Sequence, residues 1–424
     1  MTQTATAAGR EKIILVGLEH DGVSRWDLED SMEELSQLAD TAGAEVAGRV
    51  VQRLERPTAP FYIGRGKAEE VARDSKSKGA ASVVFDDELS PAQSRNLEEA
   101  MGCKVIDRTQ LILDIFASRA RTREGRLQIE LAQLQYLLPR LTRMWTHLSR
   151  QTGGIGTRGP GETQLEVDRR RVQDRIARLE RDLAEVRKNR GVQREGRMRH
   201  NWPCASLVGY TNAGKSSLLN RLTGAGVPAD DRLFETLDPT TRHIVLPNHQ
   251  KVLLTDTVGF IRKLPHTLIE SFKSTLEEVA FANLLLHVVD LSHPKHLEHI
   301  AAVDAVLAEL GAQGKQTIMV FNKCDALPDP GLAGSQLARF PGSVAVSAGT
   351  GAGFAQLIEE IQVRLAAWRM RGRYRIPLSE PALLAEIHRV GHVLDIAYEN
   401  DFAFVAAHIP PELAGRLSAH EAAP

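Results

Sequence analysis

Cysteine is scarce: Cys103, Cys204 and Cys324 are the only three in 424 residues. Odd in number, far apart and without metal-ligand spacing, they exclude a disulfide framework and a cysteine-based zinc site, and they fit a reducing cytosol. Long apolar runs are missing as well. No stretch approaches the ~20 apolar residues of a membrane span, and the first residues, Met1 to Thr6, carry no apolar signal region. Neither membrane insertion nor secretion is expected. Net charge is also nearly absent, at −1, yet it is unevenly spread. About twenty Lys/Arg meet about ten Asp/Glu over residues 119–200, which leaves the remainder acidic by about eleven charges. Core material is ample: 42% of the chain is hydrophobic, enough to fill the two or three domains expected of this length.

Residues 11–118 alternate strand-like and helix-like segments. Lys12–Val16, Ala44–Ala47, Ser82–Phe85 and Cys103–Ile106 read as strands, with helices near 30–42, from Lys67, and from Pro91 behind a Ser90 cap. That alternation predicts an α/β domain with a mainly parallel sheet. Inside it, Phe61-Tyr-Ile-Gly-Arg-Gly-Lys67 resembles a glycine-rich anion turn but lacks the frame of a phosphate loop; the plainer reading is a strand end turning into a helix. From about residue 119 the apolar spacing becomes heptad-like, through Leu127, Leu131, Leu134, Leu138 and Leu141, then Leu165, Val172, Ile176, Leu179, Leu183 and Val186. Two helices packed as an antiparallel hairpin follow, with Pro139 kinking the first near its end. The glycine-rich loop between them, 151–161, carries Arg150 and Arg158 beside Trp145 and His147, and Arg169, Arg170 and Arg171 follow on the second helix. These arginines suit RNA phosphates. The alternative is a solvated charged hairpin, because Glu166, Asp168, Asp174 and Asp182 stand at helical spacing from them.

The expected division is an N-terminal α/β domain over 1–118, a basic helical hairpin with its loop and a connector (191–201) over 119–201, a nucleotide-binding domain with a mixed, mainly parallel sheet over 202–369, and a small α+β part over 370–424. In that last part a helix from Ser379-Glu-Pro381 and strands at His392–Tyr398 and Phe402–His408 are expected, with a disordered Ala-rich end.

The chemistry lies in the third part. Gly209, Tyr210, Thr211, Asn212, Ala213, Gly214, Lys215 and Ser216 fit G-x-x-x-x-G-K-[ST] and follow the apolar run Ala205–Val208. Such a turn aims successive backbone amides at phosphates, while Lys215 adds a point charge and Ser216 a magnesium ligand. Asp256, Thr257, Val258 and Gly259 end a second apolar strand, Lys251–Thr255. The carboxylate suits magnesium through water, and the glycine amide suits a γ-phosphate. Asn322, Lys323, Cys324 and Asp325 close a third, Thr317–Phe321. Asp325 can accept from both the ring N–H and the amino group of guanine, whereas adenine would leave a buried acceptor unpaired. Ser347, Ala348 and Gly349 then supply an amide for the guanine carbonyl, so GTP is the expected nucleotide. A candidate switch spans Phe234–Arg242, where Thr236, Thr240 and Thr241 could each complete magnesium coordination when a γ-phosphate is present. Phe260 stands where many GTPases place a water-orienting glutamine, which predicts slow hydrolysis until a partner intervenes. Cys324 reads as an inert thiol.

Gly159-Pro-Gly-Glu-Thr-Gln-Leu-Glu166, Leu131–Tyr136, Leu138–Leu141, Gly209–Ser216 and Phe234–Thr241 together resemble the HflX family of GTPases over nearly the whole chain. Phe61–Lys67 also resembles that family's N-terminal domain. The resemblance implies a cytoplasmic GTP hydrolase that binds the large ribosomal subunit and splits or rescues stalled ribosomes, its N-terminal domain and hairpin reaching ribosomal RNA. It implies GTP contacts at Gly209–Ser216, at Phe234, Glu235, Thr236, Leu237 and Asp238, and at the Asp256, Asn322 and Ser347 motifs. Magnesium would rest on Ser216 and Thr236, with Asp256 acting through water; Lys215, Thr236 and Gly259 would serve the reaction. Two alternatives accompany it: an RNA-remodelling enzyme with a second site, for ATP, at Gly64–Lys67, and a signalling switch whose hairpin docks an acidic protein or membrane surface. A monomer is expected.

Overall fold

The computed structural model describes residues 10–22, 24–141, 164–199, 202–224, 233–263, 265, 278–327, 329, 331–366 and 370–422. The chain divides into two compact units, one of 1–186 with 232–234 and 262–272, the other of the remainder.

In the first unit, strands β1 (Lys12–Glu19), β2 (Glu45–Arg53), β3 (Ser82–Phe85) and β4 (Lys104–Asp107) form a parallel sheet in the order β2-β1-β3-β4. β1 and β3 are buried nearly throughout, as strands covered on both faces must be. Helices α1 (Arg25–Thr41), α2 (Arg65–Lys78) and α3 (Pro91–Met101) connect them. Ser90 caps α3 as expected, accepting from the Gln93 amide while the Gln93 side chain returns to the Ser90 amide. A helix absent from the sequence reading, α4 (Arg108–Arg119), follows β4 directly, capped by Asp107. Its first residue is charged yet buried: Arg108 pairs with Asp86 at 2.8 Å and with Glu34. Asp86 also accepts from Ser31 at 2.7 Å and meets Lys263, of the same unit, at 2.6 Å. Burial alone would raise this carboxyl; Arg108, Lys263 and Ser31 outweigh it and hold it below the usual range.

Helices α5 (Arg123–Leu137) and α6 (Gln164–Arg199) pack through Leu131, Leu179 and Leu183, with Leu127, Leu134 and Ile176 around them. Pro139 ends α5 instead of kinking it, since Leu138–Arg140 form a single 3₁₀ turn. The expected connector 191–201 is helical as far as Arg199, its Gln, Arg, Glu and Met residues outweighing two glycines. Arg169, Arg170 and Arg171 are exposed on α6, with Arg171 3.6 Å from Asp168. Arg175 grips Glu130 of α5 at 2.7 and 2.8 Å. Trp145, His147, Arg150, Arg158 and the glycine-rich loop lie outside the described residues.

The second unit holds a six-stranded sheet, order β10-β9-β8-β5-β7-β6. Its strands are β5 (Cys204–Gly209), β6 (Thr240–Val245), β7 (Lys251–Asp256), β8 (Leu284–Asp290), β9 (Thr317–Asn322) and β10 (Val344–Ala345); only β6 runs antiparallel. Helices α7 (Lys215–Thr223), α8 (His296–Glu309), α9 (Gly331–Arg339) and α10 (Phe354–Arg364) complete it, and Leu207, Leu254, Leu286, Val320 and Ile361 lie in its core. A three-stranded antiparallel sheet follows, with β13 (Phe402–Ile409) between β11 (Met370–Pro377) and β12 (His392–Glu399). α11 (Pro381–Val390) and α12 (Pro411–Arg416) add Ile387, Leu413 and Ala414 to its core. β11 was not foreseen, and the Ala-rich end is ordered as far as Ala422, whose amide donates to the Arg373 carbonyl at 2.8 Å.

Candidate nucleotide site

Four motifs leave the carboxyl ends of parallel strands: 209–216 after β5, 256–259 after β7, 322–325 after β9 and 347–349 after β10. This is where open α/β sheets bind ligands. Gly209 must lack a side chain, because a Cβ there would lie 2.2 Å from the Val288 carbonyl oxygen. Gly214 takes φ +90°, and a Cβ would strike Asn322 Nδ2 at 2.2 Å. The loop therefore closes tightly on its neighbours before Lys215 opens α7. Lys215 Nζ donates to the carbonyls of Gly209 (3.2 Å) and Tyr210 (2.8 Å). Burial lowers this ammonium to about 8, against the pull of Asp256. Gly259 stands against it, since a Cβ would fall 2.9 Å from both Lys215 Nζ and Thr211 Cα. The Phe260 main chain is tied to the loop, its amide donating to Gly209 at 3.1 Å and its carbonyl accepting from the Thr211 amide at 2.7 Å; its ring is buried. His299 of α8, which carries no motif, stacks its ring on Tyr210 at 3.9 Å between centroids.

Three oxygen donors converge beside the lysine. Asp256 Oδ2 accepts from Ser216 Oγ and from Thr236 Oγ1, each at 2.7 Å, and the two hydroxyls are 2.9 Å apart. Among the described residues, Asp256 Oδ1 is buried with no hydrogen-bond partner. Burial raises the Asp256 carboxyl, opposed by Lys215, Thr236 and Ser216. Hydroxyls plus a carboxylate with an idle oxygen are a donor set for a small, hard cation, so these residues fit magnesium. Thr240 and Thr241 lie on β6, paired with Asp256 and Thr255 respectively, and the Thr241 hydroxyl is engaged at 3.0 Å with that of Thr255. Phe234 belongs to the first unit, edge-on to Phe116 with centroids 4.6 Å apart. Leu237 and Val258 are buried, and Glu235 and Asp238 are partly exposed. Thr257 donates its hydroxyl to the Leu207 carbonyl at 2.6 Å, fixing β7 to β5.

On the other side, Asn322 acts as a tie. Its Nδ2 donates to the Ala213 carbonyl at 2.8 Å and its Oδ1 accepts from the Ala348 amide at 3.0 Å. Lys323 takes φ +60° and meets Asp290 at 2.6 Å. Asp325 is exposed, and a Cβ added to Gly349 would be 3.9 Å from its Oδ2, so the carboxylate and the 347–349 turn are neighbours. Ser347 is buried, its hydroxyl accepting from the Thr350 amide at 3.0 Å. Burial and Asp325 raise the Cys324 thiol, which disfavours the reactive thiolate. Behind the site, burial first and Lys215 second lower His287 of β8 to about 4. Its 3.8 Å approach to Asp304 is therefore no ion pair at neutral pH. In the first unit, the Gly64 amide of the Phe61–Lys67 turn is taken by Gln52 Oε1 at 2.9 Å, and Lys67 pairs with Glu70.

Three protein-family models match the chain: GTP-binding GTPase N-terminal over residues 29–117, GTP-binding GTPase Middle Region over 119–197, and 50S ribosome-binding GTPase over 204–323. The chain is 48% identical to GTPase HflX of Lacrimispora saccharolytica over 411 residues, covering 96% of each protein. It is 48% identical to GTPase HflX of Escherichia coli over 366 residues, covering 86% of this chain and 85% of that one. Among solved structures, SsGBP in complex with GDP is similar at 26% identity and a TM-score of 0.48, over 83% of this chain and 98% of that one.

Proposed function

Because the chain belongs to the HflX family of GTPases, we propose that it binds the large ribosomal subunit in its GTP state, splits or rescues stalled ribosomes, and leaves on hydrolysis. It is a GTP hydrolase. The observation that carries the finer reading is the convergence of Ser216, Thr236 and Asp256 beside Lys215, with one Asp256 oxygen idle. Thr236 of the switch segment reaches the site through its hydrogen bond to Asp256, and an ion bridging to a γ-phosphate would take that hydroxyl as a ligand, which would tie the segment's position to the nucleotide.

In this account the amides of 209–216 hold the β- and γ-phosphates, Lys215 turns from its two carbonyls to the transferring phosphoryl group, and the Gly259 amide contacts the γ-phosphate. Magnesium on the Ser216 and Thr236 hydroxyls, with Asp256 through water, would neutralise charge on the phosphates. Asp325 reads guanine, and the Ser347–Gly349 turn takes its carbonyl. The buried Phe260 ring offers nothing to orient water, so hydrolysis is slow alone and a partner raises it. The four parts 1–118, 119–201, 202–369 and 370–424 serve as N-terminal domain, RNA-sensing hairpin, GTPase and appendage. Arg150, Arg158, Arg169, Arg170 and Arg171 contact RNA, and the protein works in the cytoplasm as a monomer. Cosedimentation with isolated large subunits tests the cycle: tight binding is expected with a non-hydrolysable GTP analogue and weak binding with GDP, and equal affinity in both states contradicts it.

A further inference from the structure

The C-terminal sheet is covered on one face by α11 and α12, and among the described residues its other face is left open. Along β11, Tyr374 and Ile376 are buried while Arg371, Arg373 and Arg375 alternate with them and are exposed. Register places Arg371 opposite His408, Arg373 opposite Ala406 and Arg375 opposite Phe404 on β13. The core side of β13 is Ala403, Val405, Ala407 and Ile409, so Phe402, Phe404 and His408 share the open face with the arginines, half-exposed. The Arg375 guanidinium lies 3.7 Å above the Phe402 ring centroid. Among the described residues, none of the three arginines lies within ion-pair distance of a carboxylate; the acids of this face, Asp395 and Glu399, are on the far strand β12.

We propose that this open face binds single-stranded RNA, with the β11 arginines on phosphates, Arg375 swinging off the Phe402 ring to reach one, and Phe402 and Phe404 then under the bases. Same-face residues along a strand repeat every ~6.6 Å, a row of positive charge suited to an extended phosphodiester chain. Aromatic rings beside that row provide planar stacking surfaces, and a sheet with helices on its back and aromatics on its front is a platform for unpaired bases. An acidic protein or an anionic membrane would use the arginines and leave the rings without a role. The surface is independent of the nucleotide site and of the ribosomal reading; RNA of any origin satisfies it.

The test uses the full chain and a labelled oligouridylate containing 4-thiouridine, with fluorescence anisotropy and mapping of photo-crosslinks. Crosslinks are expected on the 402–409 strand. R371A/R373A/R375A should remove them, weaken binding at least ~10-fold and flatten the slope of log affinity against log salt by about 2, as loss of three single-strand phosphate contacts requires. Phe404→Leu should weaken binding about 5-fold or more with the salt slope unchanged, because stacking and not charge is lost. The arginines are exposed, so thermal unfolding should match the parent; if Phe404→Leu alone is unstable, the arginine variant and the crosslink map decide. Crosslinks confined to other segments, an unchanged salt slope in the triple variant, or equal loss of binding to anionic phospholipid vesicles with no effect of Phe404→Leu would overturn the proposal.

Discussion

At the residue scale, two buried bases with lowered values govern two different pH dependences, one of nucleotide binding and one of stability. Lys215 has its folded value depressed from 10.5 to about 8. Without nucleotide it is largely neutral above that pH, and a bound phosphate restores its charge. GTP binding at pH 8.5 to 9 should therefore take up close to one proton, with uptake vanishing near pH 7. Calorimetry in buffers of different ionisation enthalpy measures this, and K215M should lose both the uptake and the binding. His287 is depressed from 6.5 to about 4. The unfolded state holds the extra proton between those values, so stability rises with pH across that window and is lost as pH falls from 6.5 towards 4. The loss is about 3 kcal/mol if the shift is complete. His287→Gln should flatten the acid limb of a urea-denaturation profile, whereas an unchanged limb would assign it elsewhere. Thr236→Ala should lower GTP hydrolysis by about a hundredfold, while Thr241→Ala, whose hydroxyl faces Thr255, should lower it by less than about threefold. Sequence chemistry could not separate these threonines, because all three hydroxyls are equivalent until β6 draws Thr240 and Thr241 into the sheet. The 209–216, 256–259 and 322–325 turns were legible as strand-end loops because each follows an apolar strand. His299 and His287 carry no motif, and their roles come from packing alone.

At the element scale, periodicity explains what was readable. Of the parallel strands, β1, β3, β4, β5, β7 and β9 announced themselves as apolar runs whereas β8 was not foreseen, and the Ser90-Pro91 cap marked α3 to the residue. α4 escaped because its opening Arg108 looks like a surface residue until Asp86 and Glu34 are brought to it by the fold. β11 escaped because its exposed arginines mask the buried alternation of Tyr374 and Ile376. The hairpin helices were legible in their heptads, though the C-terminal limit of α6 was not, since glycine is only a weak breaker inside a long helix. Their contact is compact enough to test directly. Leu179 is fully buried among Leu131, Leu183 and their neighbours. Leu179→Ala should destabilise the helix pair by about 2 to 4 kcal/mol, read as faster amide exchange in α5 and α6. GTP affinity should stay unchanged, because none of the candidate nucleotide-site residues lies on these helices.

At the scale of the whole molecule, a near-neutral chain carries a basic middle segment and a GTPase unit in which the residue after the 256–259 turn, Phe260, is a buried aromatic. On the proposed reading, such a GTPase works with a polyanionic partner that both recognises the basic surface and completes the reaction, and the large ribosomal subunit is that partner. The decisive measurement is GTP hydrolysis by the purified protein with and without isolated large ribosomal subunits, at two salt concentrations, beside a variant lacking residues 153–161. The account predicts strong stimulation of the parent, weakened by salt and lost with the loop. Equal rates with and without subunits, in parent and deletion alike, would contradict it.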